Sequence, residues 1–357
     1  ALNGDSGLDI AGFFHVDEDT HELLGRSVLQ EDDVLVTIAG AQVGKCGYVK
    51  AEHLPANTNQ AVGIVRVNKE KALPRFVYYF FKQPKTFFLC QSLGGQAAQP
   101  NVNLTVIKSI AVPLPNRPVQ EAIADVLSAY DDLIENNRRR MALLEEAARQ
   151  LYREWFVRLR FPGHEHTRIT NGVPEGWERK TLGDLCSDVR EAALPGQLDP
   201  ETPYIGLEHM PRRSISLSEW GRADEVTSTK HRFRVGEILF GMIRPYFHKV
   251  GIAFVDGVAS SDAIVIRPST EELGCLVLLV LSSDPFVAST AQSMREGSKM
   301  PRADWKLMKQ YPVALPPQGL LGTFNGAVRS IVEQLKTLAF QNHKLRAARD
   351  LLLPRLM

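Results

Sequence analysis

Apolar residues recur at alternating steps of four and three from Asn116 to Phe156. Pro118 precedes them and suits the first turn of a helix. A spacing of about 3.5 residues is typical of a heptad seam that a partner helix covers. We therefore predict one long helix, roughly 55–60 Å at about 1.5 Å per residue. The seam positions are Ile123, Leu127, Tyr130, Ile134, Asn137, Met141, Leu144, Ala148, Leu151 and Trp155.

The end of the chain repeats this pattern. Residues 100–156 can be laid on residues 301–357 without a gap, at one constant offset of 201 residues. An internal repeat of this kind has to be recognised before the fold is assigned. Two repeats are too few for a solenoid, so we expect the two long helices to pack on each other. The second seam consists of Phe324, Val328, Ile331, Leu335, Leu338, Asn342, Leu345, Arg349, Leu352 and Leu356.

Each seam contains one asparagine, Asn137 or Asn342. A buried asparagine in a seam costs stability but fixes the register, because it prefers a polar partner to hydrocarbon. The two amides meet only if the helices run antiparallel, which places Met141 opposite Leu338. We predict that arrangement; two partly exposed amides without a shared contact are the alternative.

The sequence outside the helices indicates two mixed α/β modules. The fold class is therefore α/β (α+β), with module and long helix repeated once. An offset of 204 residues relates residues 33–47 to residues 237–251, so the first copy has three extra residues before Pro100. The predicted strands are Val34–Ile38, Ala61–Val67, Ile110–Val112, Tyr204–Leu207, Glu237–Met242 and Ala263–Arg267, and the predicted module helices are Pro74–Leu89 and Glu271–Gln292.

Composition limits the possible functions only weakly. The 357 residues carry a formal net charge of +1, so any surface for nucleic acid has to be local. The four cysteines show no Cys-x-x-Cys spacing, which makes metal and disulfide sites unattractive. We expect a reducing cytoplasm. The most apolar run, Cys275–Leu281, is too short to span a bilayer.

Several segments together resemble one family. They are Val112–Pro115, Gln120–Ala124, Leu127, Asp131, Glu154–Val157, Phe161–Glu165 and Pro174–Trp177. With them, nearly the whole chain resembles the specificity subunit of type I restriction–modification systems. The central block from Pro113 to Trp177 is the most specific part of this resemblance.

The resemblance implies a non-catalytic DNA-recognition subunit with a pseudo-twofold internal repeat. It implies target-recognition domains at residues 1–112 and 161–312, each binding one half of a bipartite DNA sequence. It also implies shared helical regions at residues 113–160 and 313–357 that form an antiparallel coiled coil. Two methyltransferase subunits would dock on these halves and carry S-adenosylmethionine, which this chain would not bind, and restriction subunits would join through the complex.

Two features depart from the family pattern. The opening stretch of the second module, Pro174–Tyr204, would have its counterpart before Ala1, so we expect the first recognition domain to be N-terminally incomplete. This start is either natural or the result of trimming, and the domain either keeps its DNA contacts or lacks them. The stretch Gly319–Gly322 stands where the family usually shows a Glu-Gln pair. Because glycine weakens a helix start, we expect this end to fray or to begin later.

Catalytic and metal-binding motifs are imperfect in this sequence. Gly40–Cys46 imitates a phosphate-binding loop but has three residues between the glycines instead of four, and a cysteine where Mg²⁺ needs a hydroxyl. Ser283–Phe286 lacks the second proline of an adenine-methyltransferase motif, so we expect only a turn at the end of a helix. His164 and His166 lack a third ligand nearby and are expected to be solvated.

Polar residues in loops beside the predicted strands are the candidates for DNA contact. Amides suit adenine edges, arginine suits guanine, and lysine and serine suit phosphate. The segments 94–103 and 295–302 occupy equivalent places before the two long helices. The candidates are Gln42, Lys45, Asn57, Asn59, Gln60, Gln96, Gln99, Asn101, Arg244, Tyr246, His248, Lys249, Ser261, Arg295, Ser298, Lys299 and Arg302.

Three other functions remain open. The chain could be the recognition subunit of a related bipartite, type IIB-like system with a fused nuclease partner. It could be a stand-alone methyltransferase, although the catalytic motif is missing. It could also be a scaffold without a DNA role. For partner docking, the sequence points to the helix faces with Arg138–Arg140 and Trp155–Phe156, with a solvated charged face as the alternative for the arginines.

Overall fold

The computed structural model describes residues 2–3, 7–8, 13–94, 101–292 and 301–357. The chain divides into two compact units. Unit 1 comprises Ala1–Asn136 with Asn342–Met357, and unit 2 comprises Asn137–Gln341. The division passes through both long helices, so each unit contains one part of each helix.

Unit 1 contains short strands followed by helices. Its strands are β1 (Leu2–Asn3), β2 (Gly7–Leu8), β3 (Val34–Thr37), β4 (Cys46–Tyr48) and β5 (Val62–Val65). Its helices are α1 (Glu18–Leu23), α2 (Pro74–Lys82), α3 (Pro84–Leu93), α4 (Leu104–Ser109) and the first part of α5 (Arg117–Tyr152). An antiparallel sheet of order β4–β3–β5 is its centre, and α2 packs on it.

The sequence located the two main strands of unit 1 but misjudged two other segments. The predicted helix Pro74–Leu89 is divided into α2 and α3, because Pro84 begins a new helix and has no backbone N–H for the old one. The predicted strand Ile110–Val112 is wrong: these residues are irregular. The corresponding segment of unit 2, Pro312–Leu315, is a strand because Glu178–Thr181 pairs with it.

Unit 2 has more strands than unit 1. Its strands are β6 (Ile169–Thr170), β7 (Val173–Pro174), β8 (Glu178–Thr181), β9 (Cys186–Val189), β10 (Ala192–Ala193), β11 (Pro203–Ile205), β12 (Ser216–Leu217), β13 (Gly221–Arg222), β14 (Lys230–Phe233), β15 (Ile238–Gly241), β16 (Val250–Ala253), β17 (Gly257–Ala259), β18 (Ala263–Pro268) and β19 (Pro312–Leu315). Its helices are α6 (Leu182–Leu185), α7 (Gly274–Leu281), α8 (Asp284–Gln292), α9 (Trp305–Met308) and most of α10 (Gln318–Leu356).

Two five-stranded sheets form the body of unit 2, with orders β10–β14–β17–β11–β13 and β12–β16–β15–β18–β9. The predicted strands of unit 2 appear as β11, β15 and β18. The sequence analysis missed the shorter strands, because their apolar and polar residues do not clearly alternate. The predicted helix Glu271–Gln292 is interrupted at Ser282 and Ser283, next to Pro285. Residues 276–281 of α7 are all buried in the main core.

The three central strands recur in the two units with the same antiparallel order. In unit 1 Val36 pairs with Gly63, and in unit 2 Phe240 pairs with Ile264. The first members of these pairs differ by 204 residues and the second by 201. The three extra residues of the first copy therefore lie between β4 and β5.

The seam of α5 is buried in both units. Leu127 and Ile134 of unit 1, and Met141 and Ala148 of unit 2, are buried. In unit 2 Trp155 packs against Phe324 with ring centroids 5.5 Å apart, and Asn137 donates to the Gln341 side chain at 3.4 Å. Along this part of α5 the partner residue number falls as the helix advances, so the two helix segments are antiparallel.

The register of the contacts in unit 2 can be compared with the prediction. Trp155 lies fourteen residues after Met141, and Phe324 lies fourteen residues before Leu338. The Trp155–Phe324 contact is thus in the register predicted for Met141 and Leu338. Asn137 and Asn342 are both buried, and whether their amides meet stays a prediction.

Two expectations about the long helices are wrong. Trp155 is buried, and Phe156 packs edge-on against Phe324 and Trp177, so neither offers an open face to a partner. The glycines near the start of α10 do not delay the helix, which begins at Gln318. Leu321 is buried in the core of unit 2, and this packing outweighs the low helix propensity of the glycines.

Several features bear on the functional classes. The four cysteines are free thiols. No cluster of three metal-ligating side chains occurs in the described ranges. No single described helix is long and apolar enough to cross a bilayer; Glu271–Leu281 and Asp284–Gln292, bent by 65°, reach that length and composition only as a pair.

Candidate nucleic-acid interface

A loop with an unusual backbone connects β15 and β16 in unit 2. Arg244 and His248 both have positive φ angles, 49° and 54°. Pro245–Phe247 forms a 3₁₀ turn between them. The loop is fixed at its base, because Ile243 forms a β-bridge with Arg302 and the Arg244 N–H donates to the Pro301 carbonyl at 2.9 Å.

Unit 1 has the same arrangement between β3 and β4. Gly40 and Gly44 have positive φ angles of 96° and 89°, and Ala39 forms a bridge with Asn101. This segment leads from a strand into another strand, whereas a phosphate-binding loop of the nucleotide-binding type leads into a helix. Burial raises the pKa of the Cys46 thiol to about 12. The geometry therefore agrees with a turn and not with a nucleotide site.

Basic and aromatic side chains gather at the tip of the unit 2 loop. Arg244 is exposed and Tyr246 is 53% exposed. The Arg212 guanidinium carbon lies 4.0 Å from the centroid of the Phe247 ring, and that of Arg244 lies 5.9 Å away. Tyr246 and Phe247 pack edge-on at 5.0 Å. Guanidinium groups and aromatic faces together suit phosphate, guanine and unstacked bases.

Arg212 and Phe247 were missed by the sequence analysis. Arg212 reaches the loop because the N–H of Arg213 donates to the His248 carbonyl at 2.9 Å, which brings two distant segments together. The consecutive basic residues Arg212 and Arg213 in a turn after Pro211 are a weak signal that could have pointed to this segment.

His248 and Lys249 turn inward instead of outward. His248 is 6% exposed and its Nε2 donates to the Ser282 carbonyl at 2.7 Å. Burial lowers the pKa of His248, so the ring is neutral at pH 7. Lys249 donates to the Leu207 carbonyl, and desolvation together with Arg212 lowers its pKa. The assignment of His248 as a DNA contact is corrected by this burial, and Lys249 has little freedom to reach a phosphate.

The remaining unit 2 candidates lie beside the loop. Arg302 is exposed and forms an ion pair with Asp262. Ser261 is exposed in the turn before β18. Arg295, Ser298 and Lys299 lie outside the described residues.

The unit 1 candidates differ in exposure and in whether a hydrogen bond holds the side chain. Gln42, Gln60 and Asn101 are exposed, and Lys45 is half-buried. Asn57 binds Ser27 at 3.0 Å, and the Leu24 carbonyl and His21 as well, so its amide fixes the local fold. Asn59 accepts from the N–H of Ala61 at 3.0 Å and shapes a turn. Gln96 and Gln99 lie outside the described residues.

The polar loops of the two units do not carry the same chemistry. The unit 1 loop offers amides and one lysine, whereas the unit 2 loop offers arginines and aromatic rings. Amide and guanidinium groups suit different base edges, and lysine and arginine suit phosphate oxygens. The two loops therefore differ in the contacts that they could offer to a polyanion.

The chain is similar to known proteins of one family. Residues 16–146 match the family described as type I restriction modification DNA specificity domain. The chain is 23% identical over 333 residues to the type I restriction enzyme MjaIX specificity subunit of Methanocaldococcus jannaschii, covering 87% of this chain and 74% of that protein. It is 25% identical over 250 residues to the EcoDI specificity subunit of Escherichia coli, covering 63% of this chain and 55% of that subunit.

A solved structure shares the fold. The S subunit of a type I restriction–modification system from M. genitalium superposes with a TM-score of 0.53 at 15% identity, covering 93% of this chain and 84% of that one. The family match, the curated relatives and this shared fold together confirm the resemblance to type I specificity subunits.

Proposed function

We propose that the chain is the DNA-recognition (specificity) subunit of a type I restriction–modification complex. Residues 16–146 match the type I restriction modification DNA specificity domain, which supports this proposal. The observation that carries this proposal is that both units contain the same strand–loop–strand arrangement, β3–β4 in unit 1 and β15–β16 in unit 2. We call each of these two units a reader. Each unit would bind one half of a bipartite DNA target.

We infer that α5 and α10 form an antiparallel coiled coil between the two readers. The buried seams and the antiparallel contacts within unit 2 support this inference. On this proposal the target-recognition domains are residues 1–112 and 161–312, and the shared helical regions are residues 113–160 and 313–357. The pseudo-twofold repeat would then set the distance between the two half-sites.

The chain would act by binding and positioning alone. S-adenosylmethionine would be bound by two partner methyltransferase subunits, which methylate adenine, and restriction subunits would join the complex. The exposed polar side chains around both loops suit contacts to phosphate and base edges. Binding should weaken as salt rises, because cationic contacts release counterions from DNA.

A row of exposed apolar residues on α5 in unit 1 is suited to a partner helix. Val119, Val126 and Leu133 follow one another at intervals of seven residues and are each about half exposed. On the opposite side of the same helix Gln120 and Ser128 are buried. A seven-residue apolar row left open on a helix pair is the pattern that another helix covers. We propose that a methyltransferase subunit packs on this row.

Mapping methylated adenines in the host genome, with and without the chain, tests this function. A bipartite motif that disappears with the chain is expected. In gel shifts, the chain with its methyltransferase partner should prefer that duplex to one with both halves replaced. Equal affinity for both duplexes would contradict the proposal, and S-adenosylmethionine binding to the isolated chain in calorimetry would favour a methyltransferase instead.

Removal of the exposed arginines at the unit 2 loop should weaken DNA binding. We expect Arg212→Ala and Arg244→Ala each to lower affinity roughly 5- to 100-fold, as for loss of a phosphate or guanine contact. A phosphate contact would also reduce the salt slope by about one. Titrations of labelled target duplex at several salt concentrations measure both effects.

Arg190→Ala provides the control for the arginine variants. Arg190 is an exposed arginine of unit 2 that pairs with Asp188 and lies after β9, away from the loop in sequence. Its loss removes the same charge and should leave affinity nearly unchanged. If Arg190→Ala weakens binding as much as Arg212→Ala and Arg244→Ala do, the loop is not the DNA contact.

A further inference from the structure

His248 occupies a backbone conformation that side chains rarely adopt. Its φ of 54° lies in the left-handed region, which favours glycine. At the corresponding place in unit 1, the residue before Lys45 is Gly44, with φ 89°. The same turn can therefore be built with glycine. The backbone alone does not explain why unit 2 has a histidine at this position.

In unit 1 a side chain at this position would meet the neighbouring helix. A Cβ on Gly44 would lie 3.0 Å from both the Cβ of Cys90 and the carbonyl oxygen of Phe87. In unit 2 the corresponding space holds the His248 ring, which is buried against the turn between α7 and α8. The two loops thus share a backbone shape but are attached to their units in different ways.

The His248 ring makes one directed contact. Because a carbonyl can only accept, Nε2 carries the proton and donates to Ser282 at 2.7 Å. Nδ1 is buried without a hydrogen-bond partner and lies 3.6 Å from a carboxylate oxygen of Asp284. Asp284 also pairs with Arg213 at 2.9 Å, and both of these side chains are largely exposed, so this ion pair adds little strength.

His248 lies in the same loop as the exposed residues Arg244 and Tyr246. Arg244 and Tyr246 are four and two residues before His248, and the turn between them is closed by a hydrogen bond from the Phe247 N–H to the Arg244 carbonyl at 2.8 Å. The Arg213 N–H also binds the His248 carbonyl, so the anchor holds the Arg212 segment as well. A shift of His248 would displace all three exposed side chains together.

We propose that His248 is a positioning residue that fastens the 243–249 loop to the α7–α8 turn and so holds Arg212, Arg244 and Tyr246 in place for base recognition in one half of the DNA target. The proposal rests on the DNA-recognition function proposed above. His248 itself does not touch DNA. Its loss should reduce discrimination by unit 2 and leave that of unit 1 unchanged.

The test uses the full chain in complex with its methyltransferase partner and three duplexes. One carries the target motif read from the methylated adenines, and each of the others has one half replaced. His248→Gly permits the left-handed backbone and removes the anchor. We expect a roughly tenfold loss of affinity for the intact duplex, as for a buried hydrogen bond. The affinity ratio between the intact duplex and the duplex altered in the half bound by unit 2 should fall by the same factor. The ratio for the duplex altered in the other half should stay unchanged.

Three further variants distinguish positioning from folding. His248→Asn tolerates the same backbone but is too short to reach Ser282, so it should behave like glycine even if His248→Gly fails to fold. His248→Gln places an amide N–H near the Nε2 position and should restore discrimination to within about threefold. In an Arg244→Ala background, His248→Gly should cost less than alone, because the two residues act through one contact.

The outcomes separate the two proposals. Wild-type discrimination by both His248→Gly and His248→Asn, or an equal loss on both halves, would overturn the role of His248. If the wild-type complex does not distinguish any of the three duplexes, the DNA-recognition function fails instead.

Discussion

Asp131→Ala should lower the free energy of unfolding of unit 1 by roughly 3–5 kcal/mol, the usual cost of removing one partner from a buried ion pair. Asp131 accepts hydrogen bonds from the Tyr79 hydroxyl at 2.9 Å and from Arg349 at 2.6 Å, and binds Lys82 at 3.1 Å. The side chains of Arg349 and Lys82 are only 3% and 9% exposed. Without the carboxylate, two cations lie close together in the interior.

Hydrogen–deuterium exchange of the full chain is the appropriate measurement, because it reports on each unit separately. Residues 74–82 and 117–136 should lose protection, while residues 203–268 of unit 2 keep it. The matched control is Asp132→Ala. Asp132 is 60% exposed and forms only a 3.7 Å ion pair with Lys50, so its loss should cost about 0.5 kcal/mol or less. Similar exchange for the two variants would contradict this account of Asp131.

The same carboxylate should make unit 1 sensitive to acid. Burial alone would raise the pKa of Asp131, but Lys82 and Arg349 outweigh it and hold the pKa below the ordinary value of 3.8. A lowered folded-state pKa contributes stability that is present above 3.8 and is lost as pH falls through the folded-state pKa. Wild-type unit 1 should therefore lose more stability on acidification than the Asp131→Ala variant does.

The double variant Val126→Lys with Leu133→Lys should abolish binding of the methyltransferase partner at micromolar concentration. Both side chains are about half exposed on α5, so the folded chain can accept lysine there. A partner helix would have to bury two unpaired ammonium groups, each costing several kcal/mol, which is a loss of at least 100-fold. Size-exclusion chromatography and calorimetry with the purified partner measure this loss.

The control for the docking row is Asp125→Lys with Asp132→Lys. Asp125 and Asp132 are exposed, lie seven residues apart and are on the side of α5 that faces away from the seam, so these lysines add charge to the same helix outside the proposed interface. Partner binding should be retained, and the melting temperature of both double variants should stay within a few degrees of wild type. If the control variant also loses the partner, charge on the helix and not the apolar row explains the result.

The prediction agrees with the structure where it rested on a periodic pattern of apolar residues. Every predicted seam residue of α5, from Ile123 to Trp155, is buried or half-buried, and so is every one from Phe324 to Leu356 in α10. A heptad pattern is repeated many times along one element, so an irregular position changes it little. The left-handed turn in unit 1 also had a local signal, since Gly40 and Gly44 permit positive φ.

Where the sequence prediction and the structure disagree, the residue whose contact decides the local structure is distant in sequence. His248 has the appearance of an exposed loop residue, but Ser282, 34 residues away, accepts its hydrogen bond and keeps it inside. Leu321 packs into the core and holds the glycine-containing start of α10 in a helix. Residues 110–112 were predicted as a strand from their apolar character alone, and a strand also requires a neighbour to pair with.

The amino-acid sequence by itself determined the two long helices, their seams and the resemblance to a DNA-specificity subunit, because periodicity and sequence motifs are properties of the chain alone. The tertiary structure decided which polar residues of the loops face outward. Arg212 joins the unit 2 loop and His248 leaves the surface because backbone and side-chain hydrogen bonds connect segments more than 30 residues apart. No local pattern records such contacts, since their energy exists only once the fold has formed.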